Sequence, residues 1–447
     1  MQQKLEDYVR SLGLDAYLVG GAVRDELLGI DSKDADFLVL GVDHDQLRGL
    51  LEPHGRVEDL EVAGQRVGLR LWPRDKQVRK LARNGIELAP PRRERSTGPG
   101  RHDFEIVVDS AASVEDDLAR RDFTVNAIAR RLAADELVDP FGGQEDLDNR
   151  VLRTVSPRSF AEDPLRIVRG LRLVSQLDLS PDDQTLRQML DEAASVRLVS
   201  AERIGGGLEA DGMGELSKLL LGPRVKKALR LARDTGVLVA LIPEFAPAIG
   251  YDTRSKRQGA TLDEHIFAVV EASPVSLPVR LAALFHDLGK PQADGDHAQV
   301  GARIADDLLS RLRYPARARR HVVDLVAAHA FPLDDVNELF ARRFLREHGD
   351  ELAPDLVEHK EADLRAKNVA EWELQAVARL RTLLQQEAAQ PHRLADLEVD
   401  GSDLLALGYR EGPDLGAVLA QLLDDVVEDP SRNRKDWLLE RAKAKLA

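Results

Sequence analysis

The sequence predicts an α+β fold, in which a mixed α/β head is followed by domains that are entirely helical. Two observations support this prediction. Short runs rich in apolar and β-branched residues, bounded by turn-forming residues, are confined to residues 1–140. From Pro157 onward, apolar residues instead recur at intervals of three and four, which is the spacing of one face of an α-helix.

The head combines short predicted strands with short predicted helices. The predicted strands are Tyr17–Val19, Asp36–Val42, Val67–Trp72, Ile86–Ala89 and Phe104–Val108, and the predicted helices are Lys4–Leu12, Val23–Leu28, His44–Leu51 and Leu118–Leu132. Between the last two strands, Ala89–Gly100 is rich in Pro, Gly and Arg, so it is predicted to be a mobile basic loop.

The rest of the chain is predicted to be helical. The clearest helices are Arg166–Leu177, Pro181–Ala194, Ala201–Leu221, Arg224–Thr235 and Pro278–Leu288. The chain is divided into four predicted domains, at residues 1–140, 141–255, 256–389 and 390–447, with Gln390–Asp400 as the linker into the last one.

Composition excludes several classes of protein. The 447 residues include no cysteine, which excludes disulfides, thiolate metal sites and thiol catalysis. The longest apolar stretch, near Val237–Pro243, falls far short of the roughly 20 residues that cross a bilayer. The charged N-terminus carries no apolar segment of the kind found in secretory signals. A cytoplasmic protein without a membrane partner is therefore expected.

Charge is distributed unevenly along the chain. The net charge of −15 by itself disfavours a nucleic-acid partner. Between Arg66 and Asp103, however, eleven Lys or Arg residues stand against four Asp or Glu residues, and Arg311–Arg320 contains five Arg. Such patches either follow a phosphate backbone or form solvated helix faces, and charge alone leaves both interpretations open.

A metal and phosphate site is predicted near the N-terminus. Asp34 and Asp36 stand two residues apart where an apolar strand begins, so their carboxylates point to the same face. Paired carboxylates suit a hard, oxygen-seeking ion such as Mg²⁺. Gly20 and Gly21 precede the two aspartates and allow a phosphate to approach the backbone at the start of a helix. Arg24 adds a guanidinium that can donate paired hydrogen bonds to the phosphate. These residues together fit a metal–triphosphate site.

A third acidic residue is expected from a later strand, because the pattern resembles the nucleotidyltransferase superfamily typified by DNA polymerase beta. Glu87 in Ile-Glu-Leu and Glu105 in Phe-Glu-Ile both stand between apolar residues. We favour Glu87, while Glu105 remains the alternative.

Four motifs that follow one another along the chain narrow the resemblance from the superfamily to one family. After the Gly-Gly and Asp-x-Asp segment come DLARRDFTVNAIA (Asp117–Ala129), DPFGGQEDL (Asp139–Leu147) and EDPLRIVRGLRL (Glu162–Leu173). The chain resembles the class II bacterial CCA-adding enzymes, which are tRNA nucleotidyltransferases, and the related bacterial poly(A) polymerases. The C-terminal GSDLLALGYREGPDLGAVL (Gly401–Leu419) also resembles the tail of CCA-adding enzymes. The resemblance implies a polymerase-beta-like head followed by helical neck and body domains.

The second motif supplies candidate nucleotide contacts. Arg121 can meet a phosphate, and Asp122 and Asn126 are predicted to share one helix face, where they can bond ribose hydroxyls. Taken singly, each of these residues is more often a surface ion-pair partner. The family resemblance favours the nucleotide-binding role.

The fourth motif supplies a candidate base-reading surface. Asp163, Arg166, Arg169 and Arg172 recur every three residues, so they lie on one stripe of a helix. A carboxylate accepts a hydrogen bond from the exocyclic amino group that cytosine and adenine share, while a guanidinium donates hydrogen bonds to acceptor atoms on the base edge. The resemblance implies that Asp163 and Arg166 select CTP and ATP, and that Arg169 and Arg172 serve the triphosphate or the switch between bases. The alternative is an intrahelical ladder of ion pairs.

A second metal site is predicted in the C-terminal half. His265, His286, Asp287, His329 and Asp363, with His297 between them, occur in an order that resembles the HD superfamily of metal-dependent phosphohydrolases. Imidazole and carboxylate ligands suit Mg²⁺, Mn²⁺ or Ni²⁺. The expected activity is hydrolysis of 2′,3′-cyclic phosphate or 2′-phosphate ends, with retention of an inactive HD fold as the alternative.

The resemblance implies template-independent addition of C, C and A to the 3′ end of tRNA, from CTP and ATP, with release of pyrophosphate. The expected partners are therefore tRNA, ATP and CTP, with Mg²⁺ at the nucleotidyl site, in a monomer or homodimer. The alternatives are a poly(A) polymerase, an enzyme that adds only CC or only A, and an RNA-binding HD phosphohydrolase without nucleotidyl transfer.

Overall fold

The computed structural model describes residues 2–30, 35–62, 64–96, 104–206, 212–257 and 259–446, without the side chains of 62, 93–96 and 104–108. The chain forms two compact units, Met1–Pro243 and Glu244–Ala447. The predicted α+β fold is confirmed, because the described strands all lie in the first unit. The finer division into four domains stays a prediction. Among the described residues, none of the helices is both long and apolar enough to span a membrane.

The strands of the first unit are β1 (Ala16–Val19), β2 (Asp36–Val39), β3 (Gly55–Val62), β4 (Gln65–Pro73), β5 (Ile86–Ala89), β6 (Arg92–Ser96), β7 (Phe104–Val108), β8 (Ala129–Arg131), β9 (Glu136–Val138), β10 (Val151–Leu152) and β11 (Ser180–Pro181). Its helices are α1 (Gln2–Ser11), α2 (Gly21–Leu27), α3 (His44–Leu51), α4 (Lys76–Leu81), α5 (Val114–Ala119), α6 (Gly143–Asp148), α7 (Ser159–Glu162), α8 (Leu165–Leu177), α9 (Asp183–Glu192), α10 (Ala201–Ile204), α11 (Glu215–Leu220), α12 (Val225–Asp234) and α13 (Val237–Leu241).

One seven-stranded sheet organises the head, in the order β3-β4-β5-β2-β1-β8-β9. Strands β2 and β5 run parallel and the other neighbours run antiparallel. Because side chains alternate across a strand, Leu18 and Phe37 belong to one apolar cluster, whereas Tyr17 and Leu38 belong to another. The pairing also makes Asp36 the Cα partner of Glu87.

Several predicted elements of the head are wrong or incomplete. The predicted helix Leu118–Leu132 is instead the end of α5, a 3₁₀ turn at Thr124–Asn126 and strand β8. Strand β3 was not predicted, because its apolar residues Val57, Leu60 and Val62 lack the regular alternation that indicates a strand. Part of the predicted loop Ala89–Gly100 is strand β6, which pairs with β7, and the rest of that loop after Ser96 lies outside the described residues.

The region after residue 140 also departs from an entirely helical prediction. Strands β10 and β11 form a short parallel pair. The predicted helix Ala201–Leu221 is split into α10 and α11, because glycines follow Ile204 and Gly206 has a φ of 72°, which helical residues do not adopt. Residues 207–211 lie outside the described part of the chain.

The second unit is helical throughout its described residues. It contains α14 (Leu262–Ala272), α15 (Leu277–Phe285), α16 (His297–Arg311), α17 (Ala316–Ala328), α18 (Glu338–Arg365), α19 (Glu371–Glu387), α20 (Gly401–Ala406), α21 (Pro413–Glu428) and α22 (Lys435–Leu446). Helix α18 is broken at Gly349, which has a φ of 72°. Buried apolar side chains of α20, α21 and α22 form a small separate cluster.

Gly143 permits a close backbone approach at the start of α6. A Cβ atom at this position would lie 2.2 Å from the carbonyl oxygen of Thr124 and 2.9 Å from Ile128 Cγ1. We expect Gly143→Ala to lower the free energy of unfolding by about 1–3 kcal/mol, because the backbone must shift. Thermal melting checks this prediction. Gly49→Ala is the control, because Gly49 is exposed on α3 with open space around it, and its melting point should not fall.

Candidate active sites

A cavity of about 880 Å³ in the first unit contains most of the predicted nucleotide-site residues. Its lining includes residues of the sheet, of α2, α5, α8 and α11, and of the connecting turns. The predicted residues that line it are Gly21, Arg24, Asp36, Glu87, Arg121, Asp122, Asn126, Asp163, Arg166, Arg169 and Arg172. Asp34 lies outside the described residues, and Glu105 is on β7, in the separate β6–β7 hairpin.

The acidic edge of the cavity is formed by two neighbouring strands. Asp36 is the exposed first residue of β2, and Glu87 is its Cα partner in the parallel strand β5. Glu87 also accepts a hydrogen bond from Arg70. Two carboxylates on adjacent strands that face one cavity offer the oxygen donors that Mg²⁺ prefers. The residues present therefore fit a divalent cation.

Glycines bring the backbone close to this edge. Gly20 has a φ of 74°, and a Cβ atom there would lie 2.5 Å from Arg121 Nη1. Glycine adopts this positive φ without strain, whereas a residue with a Cβ atom would also displace the Arg121 guanidinium. The first backbone N–H groups of α2 follow directly, and Arg24 donates a 2.5 Å hydrogen bond to Asn126 Oδ1. The arrangement joins backbone donors and guanidinium groups on one wall.

Asp122 and Asn126 are brought together, although not by the predicted helix. Asn126 Nδ2 donates to Asp122 Oδ1 at 2.9 Å across a tight turn. Asp122 also lies 3.2 Å from Arg169 Nε. Burial opposes ionisation of Asp122, but the charge of Arg169 and the bond from Asn126 outweigh it and lower its pKa. Asp122 is therefore a buried carboxylate that orients the groups beside it.

Asp117 and Glu215 form ion pairs with further arginines that line the cavity. Burial of Asp117 is outweighed by Arg120 and Arg121, which lower its pKa. The distance from Arg121 Nη2 to Asp117 is 3.1 Å. Arg172 lies 3.0 Å from Glu215, and burial lowers the pKa of Arg172. Glu215 is on α11 and was not predicted from the sequence.

Asp163 and Arg166 face the cavity but do not pair with each other. Arg203 donates to Asp163 Oδ2 at 3.0 Å, whereas Arg166 donates to Ser159 Oγ at 3.0 Å and to the carbonyl oxygen of Arg120 at 2.7 Å. Arg203 was not predicted, because it is 40 residues away in α10 and belongs to no motif. One oxygen of the predicted base-reading carboxylate thus already accepts from a guanidinium.

The second unit gathers all six predicted histidine and aspartate residues. His265, His286 and Asp363 form one group, and Asp287, His297 and His329 form another. Asp287 connects them, because its Oδ2 lies 3.1 Å from His286 Nε2 and its Oδ1 lies 3.5 Å from His297 Nε2. Asp287 thus presents one oxygen to each group.

Unpartnered buried atoms indicate that a cation fits this cluster. His265 Nε2, His286 Nε2 and Asp363 Oδ1 are buried and accept or donate no hydrogen bond, and His265 Nε2 lies 3.1 Å from Asp363 Oδ1. Such groups are rare in a folded interior unless a ligand satisfies them. Burial lowers the pKa of His329 to about 4, so the imidazole is neutral and able to bind a metal.

His359 belongs to the same cluster and was not predicted. It is fully buried on α18, its ring centroid lies 5.0 Å from that of His286, and neither ring nitrogen has a hydrogen-bond partner. It precedes Asp363 by four residues, which places both side chains on one helix face. That spacing is the sequence signal that identifies it.

Two lysines contact the cluster carboxylates. Lys290 Nζ lies 2.6 Å from Asp287 Oδ2, and Lys367 Nζ lies 2.6 Å from Asp363 Oδ2. For both aspartates burial opposes ionisation, yet the neighbouring histidines and lysines hold their pKa values well below the usual range. Both carboxylates are therefore ionised and available to a cation.

Comparisons with known proteins identify the family of the chain. Residues 16–153 match the family described as "Poly A polymerase head domain", residues 178–249 match "Probable RNA and SrmB- binding site of polymerase A", and residues 298–442 match "tRNA nucleotidyltransferase domain 2 putative". A "Multifunctional CCA protein" of Xanthomonas campestris pv. campestris is 31% identical over 90% of this chain and 96% of its own. One from Ralstonia nicotianae is 33% identical over 71% of this chain and 72% of its own.

Solved structures show the same fold. The CCA-adding enzyme of Bacillus stearothermophilus, in complex with CTP, has a TM-score of 0.71 at 24% identity and covers 99% of this chain and 97% of its own. The CCA-adding enzyme of Thermotoga maritima, in complex with tRNA, has a TM-score of 0.61 at 20% identity and covers 99% of this chain and 94% of its own. Together with the near-full-length relatives, these findings show that the chain belongs to the family of bacterial multifunctional CCA proteins, which are nucleotidyltransferases.

Proposed function

We propose that this protein adds C, C and A to the 3′ end of tRNA, using CTP and ATP and releasing pyrophosphate. The observation that carries the proposal is the β2–β5 register, which makes Asp36 and Glu87 neighbours at the edge of a cavity that Asp163 and Arg166 also line. The similar CCA-adding enzymes, which form complexes with CTP and with tRNA, support it.

The carboxylates of the head are the proposed metal ligands. Asp34 and Asp36 hold the Mg²⁺ ions, and Glu87 is the third acidic residue, beside Asp36. When bound, the metals activate the tRNA hydroxyl and stabilise the leaving pyrophosphate. Arg70 keeps Glu87 oriented through its hydrogen bond.

The nucleotide is held by residues on the adjoining wall. Backbone N–H groups after Gly20 and Gly21 approach the triphosphate, and the positive end of α2 favours its charge. Arg24 and Arg121 add guanidinium donors. Asp122 and Asn126, which bond each other, face the ribose.

Base choice is assigned to the Asp163 and Arg166 pair. Asp163 accepts a hydrogen bond from the exocyclic amino group that cytosine and adenine share and that guanine and uracil lack at that position. Arg166 donates a hydrogen bond to an acceptor atom of the base. The hydrogen bond from Arg203 to Asp163 Oδ2 must break when a base binds to that oxygen. Arg169 and Arg172 line the same cavity and serve the triphosphate or the change from C to A.

Incubation of a tRNA lacking CCA with each labelled nucleotide tests the proposal. Three additions followed by a halt are expected. A long A-tract would identify a poly(A) polymerase, and incorporation of only C or only A would identify a partial enzyme. No incorporation with any nucleotide would leave only the hydrolase alternative.

Asp163→Ala is expected to damage nucleotide selection more than tRNA binding. A site built around hydrogen bonds loses discrimination steeply when one partner is removed, so incorporation of UMP and GMP relative to CMP should rise at least ~10-fold. Primer-extension kinetics measure selection, and filter binding measures tRNA affinity. Asp183→Ala, which removes an exposed carboxylate from α9, is the control. Unchanged exclusion of UTP and GTP would contradict the assignment of Asp163.

We further propose that the histidine–aspartate cluster is a metal-dependent phosphohydrolase site for 2′,3′-cyclic phosphate or 2′-phosphate ends. Its buried atoms without hydrogen-bond partners favour this function. The proposed ligands are His265, His286, Asp287, His329 and Asp363, with His297 beside them, and the cation is Mg²⁺, Mn²⁺ or Ni²⁺. A bound cation supplies an activated water to attack phosphorus.

The remaining proposals concern partners and organisation. We propose that tRNA is recognised by the shape of its acceptor end, as is usual for helical RNA. We propose that the protein is a monomer or homodimer, which size-exclusion chromatography with light scattering tests. We also propose that it divides into four domains at residues 140, 255 and 389, which limited proteolysis tests.

A further inference from the structure

One basic surface of the first unit has no role in the chemistry proposed above. Of the eleven Lys and Arg residues between Arg66 and Asp103, five lie on or next to helix α4, and all five are exposed. They are called the α4 basic surface and comprise Arg74, Lys76, Arg79, Lys80 and Arg83. The acidic residue among them, Asp75, caps the helix by accepting hydrogen bonds from the backbone N–H groups of Gln77 and Val78.

The charges of this surface are not neutralised by neighbouring carboxylates. Within the part of the chain that the structure describes, none of its five side chains forms an ion pair or a hydrogen bond. The other basic segment, Arg311–Arg320, differs, because Arg311, Arg317 and Arg319 lie 2.7–3.1 Å from carboxylate oxygens. Unpaired cations that are concentrated in one place on a chain of net charge −15 favour a polyanion as the partner of the α4 basic surface.

Strand register places the α4 basic surface at the edge of the sheet where the acidic pair lies. Strands β4 and β5 are antiparallel and Leu71 pairs with Ile86, so the end of β4 and the start of β5 lie at the same edge. Helix α4 connects these two ends. Strand β2 runs parallel to β5, so Asp36 and Glu87 lie at that edge as well. The proposed metal ligands and the unpaired cations are therefore neighbours along one edge of the sheet.

The length of chain between the two groups limits the distance between them. Arg83 precedes Glu87 by four residues. Their Cα atoms are therefore at most about 14 Å apart, because an extended chain spans at most about 3.6 Å per residue. One strand of a nucleic-acid helix rises about 3.4 Å per nucleotide, so this distance corresponds to about four nucleotides. An RNA strand with its 3′ hydroxyl at the acidic pair can therefore present the phosphates of nearby nucleotides to the surface.

We propose that the α4 basic surface binds the phosphates of the tRNA strand that ends in the reacting 3′ hydroxyl. The surface lies outside the catalytic cavity, because none of its five residues belongs to the lining of that cavity. Contacts to phosphate carry no sequence information, so the surface holds the strand in position and does not select a nucleotide. The proposal rests on the nucleotidyl transfer proposed above and adds a place on the head where the RNA backbone is held.

The salt dependence of tRNA binding tests the surface without any dependence on turnover. Lys80→Gln/Arg83→Gln removes two of its charges, and because both side chains are exposed, the fold should be retained. Each lost phosphate contact should lower the slope of log Kd against log salt concentration by about one. In filter binding at low salt, Kd for tRNA should rise at least ~10-fold. An unchanged Kd together with an unchanged salt slope would overturn the proposal.

Arg66→Gln/Arg131→Gln is the matched control. It also removes two positive charges from the first unit, but Arg66 lies 2.9 Å from Asp45 and Arg131 lies 3.0 Å from Asp15, so both charges are already paired. Its Kd for tRNA should stay within about twofold of the wild type, because paired surface charges contribute little. If the control weakens tRNA binding as much as Lys80→Gln/Arg83→Gln does, the net charge of the protein explains the effect, and the proposal is wrong.

Two further measurements identify the occupant of the surface. For Lys80→Gln/Arg83→Gln, an RNA hairpin that contains only the acceptor stem and the 3′ end should lose as much affinity as full-length tRNA. A loss confined to full-length tRNA would place the contact elsewhere on the molecule and overturn the proposal. KM for CTP should stay within about twofold of the wild type, since the surface is not part of the nucleotide site. A higher KM for CTP without weaker tRNA binding would assign the surface to the triphosphate instead.

The surface and the nucleotidyl transfer fail in different ways. If the wild type adds no nucleotide but Lys80→Gln/Arg83→Gln binds tRNA more weakly and with a lower salt slope, the surface is supported and only the transfer is overturned. If the wild type adds C, C and A while the variant binds tRNA with the same Kd and the same salt slope, the transfer is supported and the surface is overturned.

Discussion

Asp36→Ala is expected to abolish incorporation of both CMP and AMP. The exposed carboxylate at the start of β2 is a proposed ligand of the metal on which both additions depend, and Glu87 on the neighbouring strand cannot replace it. Loss of a metal that stabilises the transition state is worth several kcal/mol, so a rate loss of at least ~1,000-fold should follow for each nucleotide. Single-turnover addition to a tRNA lacking CCA measures it.

Matched variants separate chemistry from folding in this experiment. Asp36→Asn keeps the size of the side chain but removes its charge, and it should be nearly as inactive as Asp36→Ala. Asp7→Asn, which alters an exposed carboxylate on α1 of the same unit, should retain full activity. If Asp36→Asn adds CMP at a rate within tenfold of the wild type, Asp36 is not a metal ligand.

The acidic edge of the site was predictable because local signals and the sheet agree there. Gly20, Gly21 and the apolar runs on each side identify β1, α2 and β2, and the positive φ of Gly20 shows why glycine is needed. A third acidic residue was expected from the family resemblance, and Glu87 was favoured over Glu105, although both stand between apolar residues. The parallel register with Asp36 is a long-range property that the spacing of residues along the chain does not contain.

The segment from Leu118 to Leu132 shows where local pattern fails. Its apolar residues fit a helical face, but Thr124 and Val125 are β-branched, and Ala129–Arg131 pairs with β1 and β9 in the sheet. Pairing with an existing strand outweighs a weak helical preference. Asp122 and Asn126 still form a hydrogen bond, but a turn brings them together and not the helix that was predicted.

Ion-pair partners were the least predictable part of the site. Arg203 reaches Asp163 and Glu215 reaches Arg172 only because α10 and α11 pack near α8. Neither residue stands in a motif. His359 was not predicted either, but it precedes Asp363 by one helical turn, so the helical period would have been enough to find it.

Asp287→Ala is expected to abolish hydrolysis of a 2′,3′-cyclic phosphate and of a 2′-phosphate while CCA addition continues. Asp287 is 1% exposed, and its two oxygens lie within 3.5 Å of His265, His286 and His297, so its loss removes the group that connects both halves of the cluster. The proposed nucleotidyl-site residues all lie within Met1–Pro243, whereas the cluster lies within Glu244–Ala447.

The variant must be shown to fold, because removal of a buried charge leaves Lys290 without its carboxylate partner. Asp287→Asn, which retains the volume, should therefore be measured in parallel, with thermal melting for both variants and Mn²⁺, Ni²⁺ and Mg²⁺ supplied in turn. Hydrolysis should fall at least ~100-fold in each, since a site with few ligands loses its metal when one is removed. CMP and AMP addition should stay within about threefold of the wild type. A wild type that hydrolyses neither substrate with any metal would make the cluster a structural remnant. A folded Asp287→Asn that no longer adds CMP would show instead that the two sites are not independent.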